Sequence, residues 1–199
     1  MDLLSLKNIS KLLSLLGIFI SLFFLIPIAG GVIYGENIGD FLLFDLAFFF
    51  ANLLLFLSLR KHTMSVRIKD AILAVNLIWI LLGIAGSIPL ILYTPISFAD
   101  GFFEAISGFT TTGATIYSDI ESLPKHILLL RSLMHWLGGI GIIVLGVGLF
   151  SLINPTGSMA LFKAEATGGK LEKMTPKIRD TAVKIWGVYL VLTLSLIHI

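Results

Sequence analysis

The chain has 199 residues, 57% of them hydrophobic and only 13% charged, with a mean hydropathy of +1.01. A soluble domain carries about a quarter charged residues, so there is too little polar surface here to cover a water-soluble core. The formal net charge is only +2 and there is no cysteine, which excludes disulfides, thiolate metal sites and cysteine nucleophiles.

The apolar residues come in long blocks, and about 20 apolar residues in a helix cross the hydrocarbon core. The first block, about 12–34, follows Lys7 and Lys11 and contains Pro27 and Gly30-Gly31 late in its course. It is longer than the roughly 7–15 residues of a signal-peptide core and lacks an A-x-A-like cleavage site, so it reads as a retained span broken near its end. Further spans are predicted at about 41–59, 71–93 and 127–150, with a last one beginning near 182 and running to Ile199.

Lys and Arg are distributed unevenly among the connections. Twelve of the 14 lie before the first span (Lys7, Lys11), between the second and third (Arg60, Lys61, Arg67, Lys69) and between the fourth and fifth (Lys163, Lys170, Lys173, Lys177, Arg179, Lys184). The opposite connections hold Glu36, Asp40, Asp100, Glu104, Asp119 and Glu121, with Lys125 their only base and Arg131 just inside the fourth span. The bias predicts a cytoplasmic N-terminus and an outward-facing stretch 94–126.

Within that stretch, Phe98, Phe102, Ala105, Ile106 and Phe109 are spaced for one helical face. Ser97 is a candidate cap, and Asp100 lies where the helix dipole favours an anion. About eleven helical residues reach only roughly 16 Å, half the hydrocarbon thickness. Two readings are open: an amphipathic helix on the outer surface, or a pore helix that enters the membrane without crossing it.

The next residues, Thr110-Thr111-Thr112-Gly113-Ala114-Thr115, are poor helix material, because Thr is restrained by β-branching and Gly weakens helices. Irregular backbone at membrane depth is tolerated only where it is buried in protein or lines a watery cavity. Carbonyls aimed at a common axis replace the water shell of a dehydrating potassium ion. Gly113 would permit the backbone geometry this needs, and the negative C-terminal end of the short helix would favour a cation. Asp100 and Glu104 would add a negative outer mouth, although capping and solvation account for them almost as well. Thr- and Gly-rich runs also serve close helix packing. The preceding short helix, the outside location and the following span favour the pore.

The fourth span carries Gly138, Gly139, Gly141, Gly146 and Gly148, the pattern of a smooth helix against which other helices pack, with a gating hinge as the lesser reading. Arg131 and His135 lie near its outer end, close enough to the interface to snorkel. Gly168-Gly169 stands alone, so there is no phosphate-binding loop, and the four histidines lack metal-ligand spacing. Nothing in the chain resembles a catalytic set, and the expectation is that it is not an enzyme.

The run D-G-F-F-E-A-I-S-G-F-T-T-T-G-A-T (100–115), S-L-P (122–124) and R-S-L-M-H-W-L-G-G-I-G-I-I-V-L (131–145) closely resembles the first pore repeat of the Trk/Ktr potassium uptake family, specifically its TrkH-type subunit. F-K-A-E (162–165) and M-T-P-K-I-R-D-T-A (174–182), leading to Trp186 and Tyr189, resemble that family's link into a second repeat. The resemblance covers essentially the whole chain.

It implies an all-α membrane protein: about five transmembrane helices, one short re-entrant pore helix and an extended filter loop. The expected organisation is two N-terminal helices in 1–69, a helix–pore-helix–helix repeat in 70–150, a cytoplasmic linker in 151–181 and the first helix of a second repeat in 182–199. The resemblance also implies potassium conduction across the bacterial inner membrane, with potassium held at Thr111 and Thr112 and the filter continuing through Gly113 to Ala114. No cofactor is implied, potassium being the cargo. Its partners would be membrane lipid, a second copy in a homodimer and a cytosolic nucleotide-binding regulatory subunit, with no nucleic acid. T-T-G-A lacks the second glycine and tyrosine of tetrameric potassium channels, which bears on selectivity for potassium over sodium. Only one filter signature is present where the family has four, so the chain is expected to be an N-terminal fragment that does not conduct alone. Residues 194–199, L-S-L-I-H-I, match one reading frame of a common transposase sequencing adapter and are expected to be a library artefact. The competing reading is a non-conducting membrane scaffold.

Overall fold

The structure, a computed structural model, describes residues 3–63, 68–153 and 175–197. Six helices occupy them: α1 (Leu3–Ile33), α2 (Gly39–Ser58), α3 (Ile68–Tyr93), α4 (Phe98–Phe109), α5 (Lys125–Ile153) and α6 (Thr175–Ile197). Among the described residues, Leu6–Ile33, Gly39–Ser58 and Leu73–Tyr93 are long and apolar enough to cross a membrane. The 29 residues of α5 extend about 44 Å, whereas the 12 of α4 extend about 18 Å. The all-helical class expected from the hydropathy blocks and the family resemblance is the class observed.

Several boundaries move. α1 begins about nine residues before the predicted span and runs unbroken through Pro27 and Gly30-Gly31 to Ile33. An internal proline persists because neighbouring helices compensate the backbone group it disrupts. The two glycines are contact points: a Cβ on Gly30 would overlap Leu129, and one on Gly31 would overlap Ile38 and press on His126. α6 starts at Thr175, about seven residues earlier than expected. Most of the expected cytoplasmic linker, including Lys163, Lys170, Lys173 and Gly168-Gly169, lies outside the described residues, as do residues 198 and 199.

α1 packs against α2, α3 and α5; α4 lies between α3 and α5; α6 lies on α5. Phe41, Leu90, Ala105, Ile127, Leu130 and Met134 are at most 1% exposed and form the centre of this packing. Small residues admit the short helix: Cβ atoms added at Gly83 or Gly86 of α3 would crowd Phe102 and Ile106, or Ala105 and Phe109. Burial of this apolar face seats α4, while Phe103 on the other side stays exposed, as does Phe98 at the start of the face.

Polar ties join α1 to α2 and its C-terminal end. Lys11 Nζ donates to the carbonyls of Arg60 (3.3 Å) and His62 (2.7 Å), just beyond the C-terminus of α2. Within the apolar span, Asp45 is buried and accepts a 2.7 Å hydrogen bond from Ser21 Oγ. A hydropathy average passes over this carboxyl because its neighbours are strongly apolar.

Candidate ion-conduction site

α4 starts as the sequence suggests. Ser97 Oγ accepts from the Asp100 amide (3.2 Å), while Asp100 Oδ2 accepts from the Ser97 amide (3.2 Å) and hydroxyl (2.7 Å). This capping box satisfies amides that a helix start otherwise leaves unpaired. Asp100 is thus engaged as a cap, a helix length away from Thr111.

The end of α4 is equally defined. The Thr111 amide donates to the Gly108 carbonyl (3.0 Å) and the Thr112 amide to the Ser107 carbonyl (2.9 Å), the paired closure of a Schellman motif. The residue that must be left-handed in that motif is usually glycine; here it is Thr111, at φ 58°. The Thr110 hydroxyl donates to the Ile106 carbonyl (2.7 Å). Gly113 follows at φ +75°, and a Cβ placed there meets nothing within 4 Å. Conformation, not space, is therefore what requires glycine at 113.

Beyond the helix end, Thr110, Thr111, Thr112, Gly113 and Ala114 are all exposed. The carbonyls of residues 110–113 accept no hydrogen bond from the described residues, whereas that of Ala114 accepts from Ser107 Oγ at 2.6 Å. Ser107 thus braces the loop against its own helix at the Ala114 end. On the open side, Phe102, Phe103, Ile106, Thr110, Thr112 and Ala114 help line a cavity of about 270 Å³.

Glu104 requires a correction. Instead of a charge at an open mouth, it is a buried strut, 2% exposed. Its Oε1 accepts from Thr115 Oγ1 (2.6 Å) and the Ile116 amide (2.5 Å), and its Oε2 pairs with Arg131 Nη1. Arg131 does not snorkel: it turns inward, reaches Thr115 Oγ1 with Nη2 (3.3 Å) and covers the Tyr117 ring at 5.1 Å. A buried carboxylate is stable only when paired, and the helix that follows the loop provides the pair. His135 is held on its own helix, with Nδ1 2.9 Å from the Arg131 carbonyl oxygen. The Tyr117 hydroxyl meets Thr94 Oγ1 at 2.9 Å, and burial raises the phenol above its ordinary pKa, so it remains a neutral hydrogen-bonding group. Thr94, just past α3, together with residues of α4 and α5 thus clamps the loop from 114 to 117.

The glycines of α5 have separate tasks. A Cβ at Gly138 would overlap the Phe109 carbonyl and crowd the Thr111 methyl, so glycine lets α5 lie directly behind the loop. The expected close packing is found at Gly138 and at Gly139, which abuts Tyr189 of α6; Gly141 instead sits at φ 68°, ψ 160°, outside helical geometry, and kinks α5 there. At the N-terminal end of α5, the Lys125 and His126 amides donate to Glu36 Oε1 (2.7 Å) and Oε2 (3.0 Å), and His126 Nδ1 lies 2.5 Å from Oε2. Burial opposes the Glu36 charge, but these bonds and the His126 ring outweigh it and hold its carboxyl below the ordinary range.

Thr111, Thr112, Gly113 and Ala114, grouped by their pattern in the sequence, form one continuous exposed loop. The Glu104–Arg131 pair, the Ser107 brace and the Glu36 tie are not evident from the sequence. The available signal was the spacing of Glu104 and Ser107, two polar residues at i and i+3 amid small and apolar neighbours, which marks a polar stripe facing something specific.

A capped half-length helix wedged between two long apolar helices, delivering a braced loop with free carbonyls, defines a membrane protein of the helix–pore-helix–helix class. The chain belongs to the TrkH family of cation transport proteins, whose family model matches residues 37–198. It is 38% identical over 193 residues to the Trk system potassium uptake protein TrkH of Vibrio parahaemolyticus, and 36% identical over 195 residues to that of Escherichia coli. Each match covers 95% of this chain and 40% of the relative. The crystal structure of the potassium transporter TrkH from Vibrio parahaemolyticus superposes with a TM-score of 0.75 at 34% identity, covering 96% of this chain and 38% of that one. The chain therefore spans about 40% of the length of the relatives it matches. Membership in a family of cation transport proteins agrees with the expectation that it is not an enzyme.

Proposed function

We propose that this chain contributes one segment of a cation filter to a potassium uptake system of the inner membrane. The observation that carries this reading is the backbone of residues 111–113. Gly113 is left-handed without any packing neighbour, Thr111 is left-handed despite β-branching, and the intervening carbonyls are unclaimed by the described residues. Glycine kept only for helix packing would have a neighbour at its Cβ position, as Gly138 does, whereas Gly113 has none.

In this mechanism Thr111, Thr112 and Gly113 present carbonyls to dehydrated potassium, and Ala114 marks the braced edge of the filter. The C-terminal end of α4 adjoins the same loop and adds its negative dipole end. The side chains of Glu104 and Arg131 hold the loop without contacting the ion. Potassium is cargo, and no cofactor takes part. The bias of the basic residues supports a cytoplasmic N-terminus. The complete protein would act as a homodimer in lipid, regulated by a cytosolic nucleotide-binding Trk subunit.

The test is complementation. The full-length gene is expected to restore growth of a potassium-uptake-deficient bacterium at low potassium, and Gly113→Asp is expected to abolish it. Undiminished rescue by Gly113→Asp overturns the filter assignment.

A further inference from the structure

Behind the loop, residues 136–139 of α5 are held between two neighbours. On one side, Gly138 abuts the Phe109 carbonyl and the Thr111 methyl. On the other, Gly139 abuts the Tyr189 hydroxyl of α6. A side chain on either glycine would push the segment away from one neighbour or into the other. The α6 side is hydrogen-bonded as well as packed. The Tyr189 hydroxyl donates to the Trp136 carbonyl (3.0 Å), and Trp136 Nε1 donates to Thr193 Oγ1 (3.1 Å). The Thr193 hydroxyl in turn donates to the Tyr189 carbonyl at 2.8 Å, so its lone pairs remain aimed at the indole. The Trp186 and Trp136 rings meet edge to face at 5.2 Å. Trp186, Tyr189 and Thr193 fall on one stripe of α6, the spacing by which a helix presents a single face.

The break at Gly141 gives these contacts their consequence. Residues 136–139 hang from the N-terminal part of α5 through their own amides. With α5 leaving helical geometry at φ 68°, ψ 160°, support from the C-terminal side is interrupted, and the hydrogen-bonded contacts from α6 brace the segment there.

We infer that α6 sets the position of Thr111 through residues 136–139, with Tyr189 and Thr193 as positioning residues that tune ion preference. The inference rests on the filter reading above and adds a structural route from the following helix to the filter. A displacement of α6 moves Gly139, and with it the surface on which Thr111 and the Phe109 carbonyl lie.

The experiment uses the full-length protein in cells, with radioactive rubidium uptake competed by potassium and by sodium. Tyr189→Phe keeps the ring and removes only the hydroxyl; Thr193→Val keeps the shape and removes the acceptor. Each is expected to change the potassium-to-sodium competition ratio by about fivefold, the scale of one net hydrogen bond, with normal membrane abundance. If Tyr189→Phe fails to accumulate, Thr193→Val alone decides. An unchanged ratio, or a slower rate at an unchanged ratio, overturns the inference and leaves α6 a purely structural neighbour. Gly113→Asp in the same assay separates the two readings. If it leaves uptake intact, the filter reading falls; if it abolishes uptake while the α6 variants keep the wild-type ratio, only the positioning role falls.

Discussion

Left-handed backbone costs a residue with a Cβ roughly 1–2 kcal/mol, so Thr111 at φ 58° is held there by its surroundings. Those are the Schellman closure, the Thr112 amide bonded to Ser107, and the glycine surface of α5. The buried Glu104–Arg131 pair illustrates the same dependence on partners. Removing one member of such a pair strands the other charge, so Glu104→Gln is expected to destabilise the protein by about 3 kcal/mol. Pairing Glu104→Leu with Arg131→Met is expected to recover much of that stability, because no lone charge remains. Thermal unfolding in detergent checks both, and a single variant as stable as the parent would show that the pair is not buried in the folded protein. Thr111, Thr112 and Gly113 were legible as a group because Thr and Gly depart from helix chemistry over adjacent positions. The Glu104–Arg131 pair was not, since 27 residues separate its members and neither local propensity nor periodicity relates them.

Among the elements, α4 was the most legible. Its cap, its apolar face and its shortness all follow from adjacent residues, because helix capping and amphipathicity are local. The N-terminal end of α5 follows from no local pattern; its first amides are capped by Glu36 from the connection between α1 and α2. A carboxyl whose folded pKa is lowered stabilises the fold above its unfolded pKa, and that contribution is lost as pH falls through the folded value. The detergent melting temperature is therefore expected to fall on acidification below the ordinary carboxylate range. Glu36→Gln is expected to lower it at neutral pH and to remove that component of the acid dependence. An identical acid profile in parent and variant would exclude Glu36 as the group responsible. The kink in α5 was hidden for a different reason: five glycines in one span look alike in sequence, and only the folded backbone shows Gly141 leaving the helix.

At the scale of the whole molecule, one loop with exposed carbonyls lies on an open side of the bundle, beside the exposed Phe103. Under the proposed function, further filter segments complete the ring around the ion. The 199-residue chain reconstituted alone in liposomes is accordingly expected to show no potassium-driven flux above empty vesicles. Selective flux from it would mean that several copies assemble one filter.

Membership of the membrane-protein class, the helical elements, the half-length α4 and the loop from Thr110 to Ala114 all follow from hydropathy and local backbone preference. Those are properties of neighbouring residues, and they survive without knowledge of the fold. Which carbonyls stay free and which acidic group is buried and paired depend on groups brought together from distant parts of the chain. Burial makes an unpaired polar group costly, so the tertiary structure selects a partner for each one, and those selections turn a Thr-Gly sequence into a braced loop.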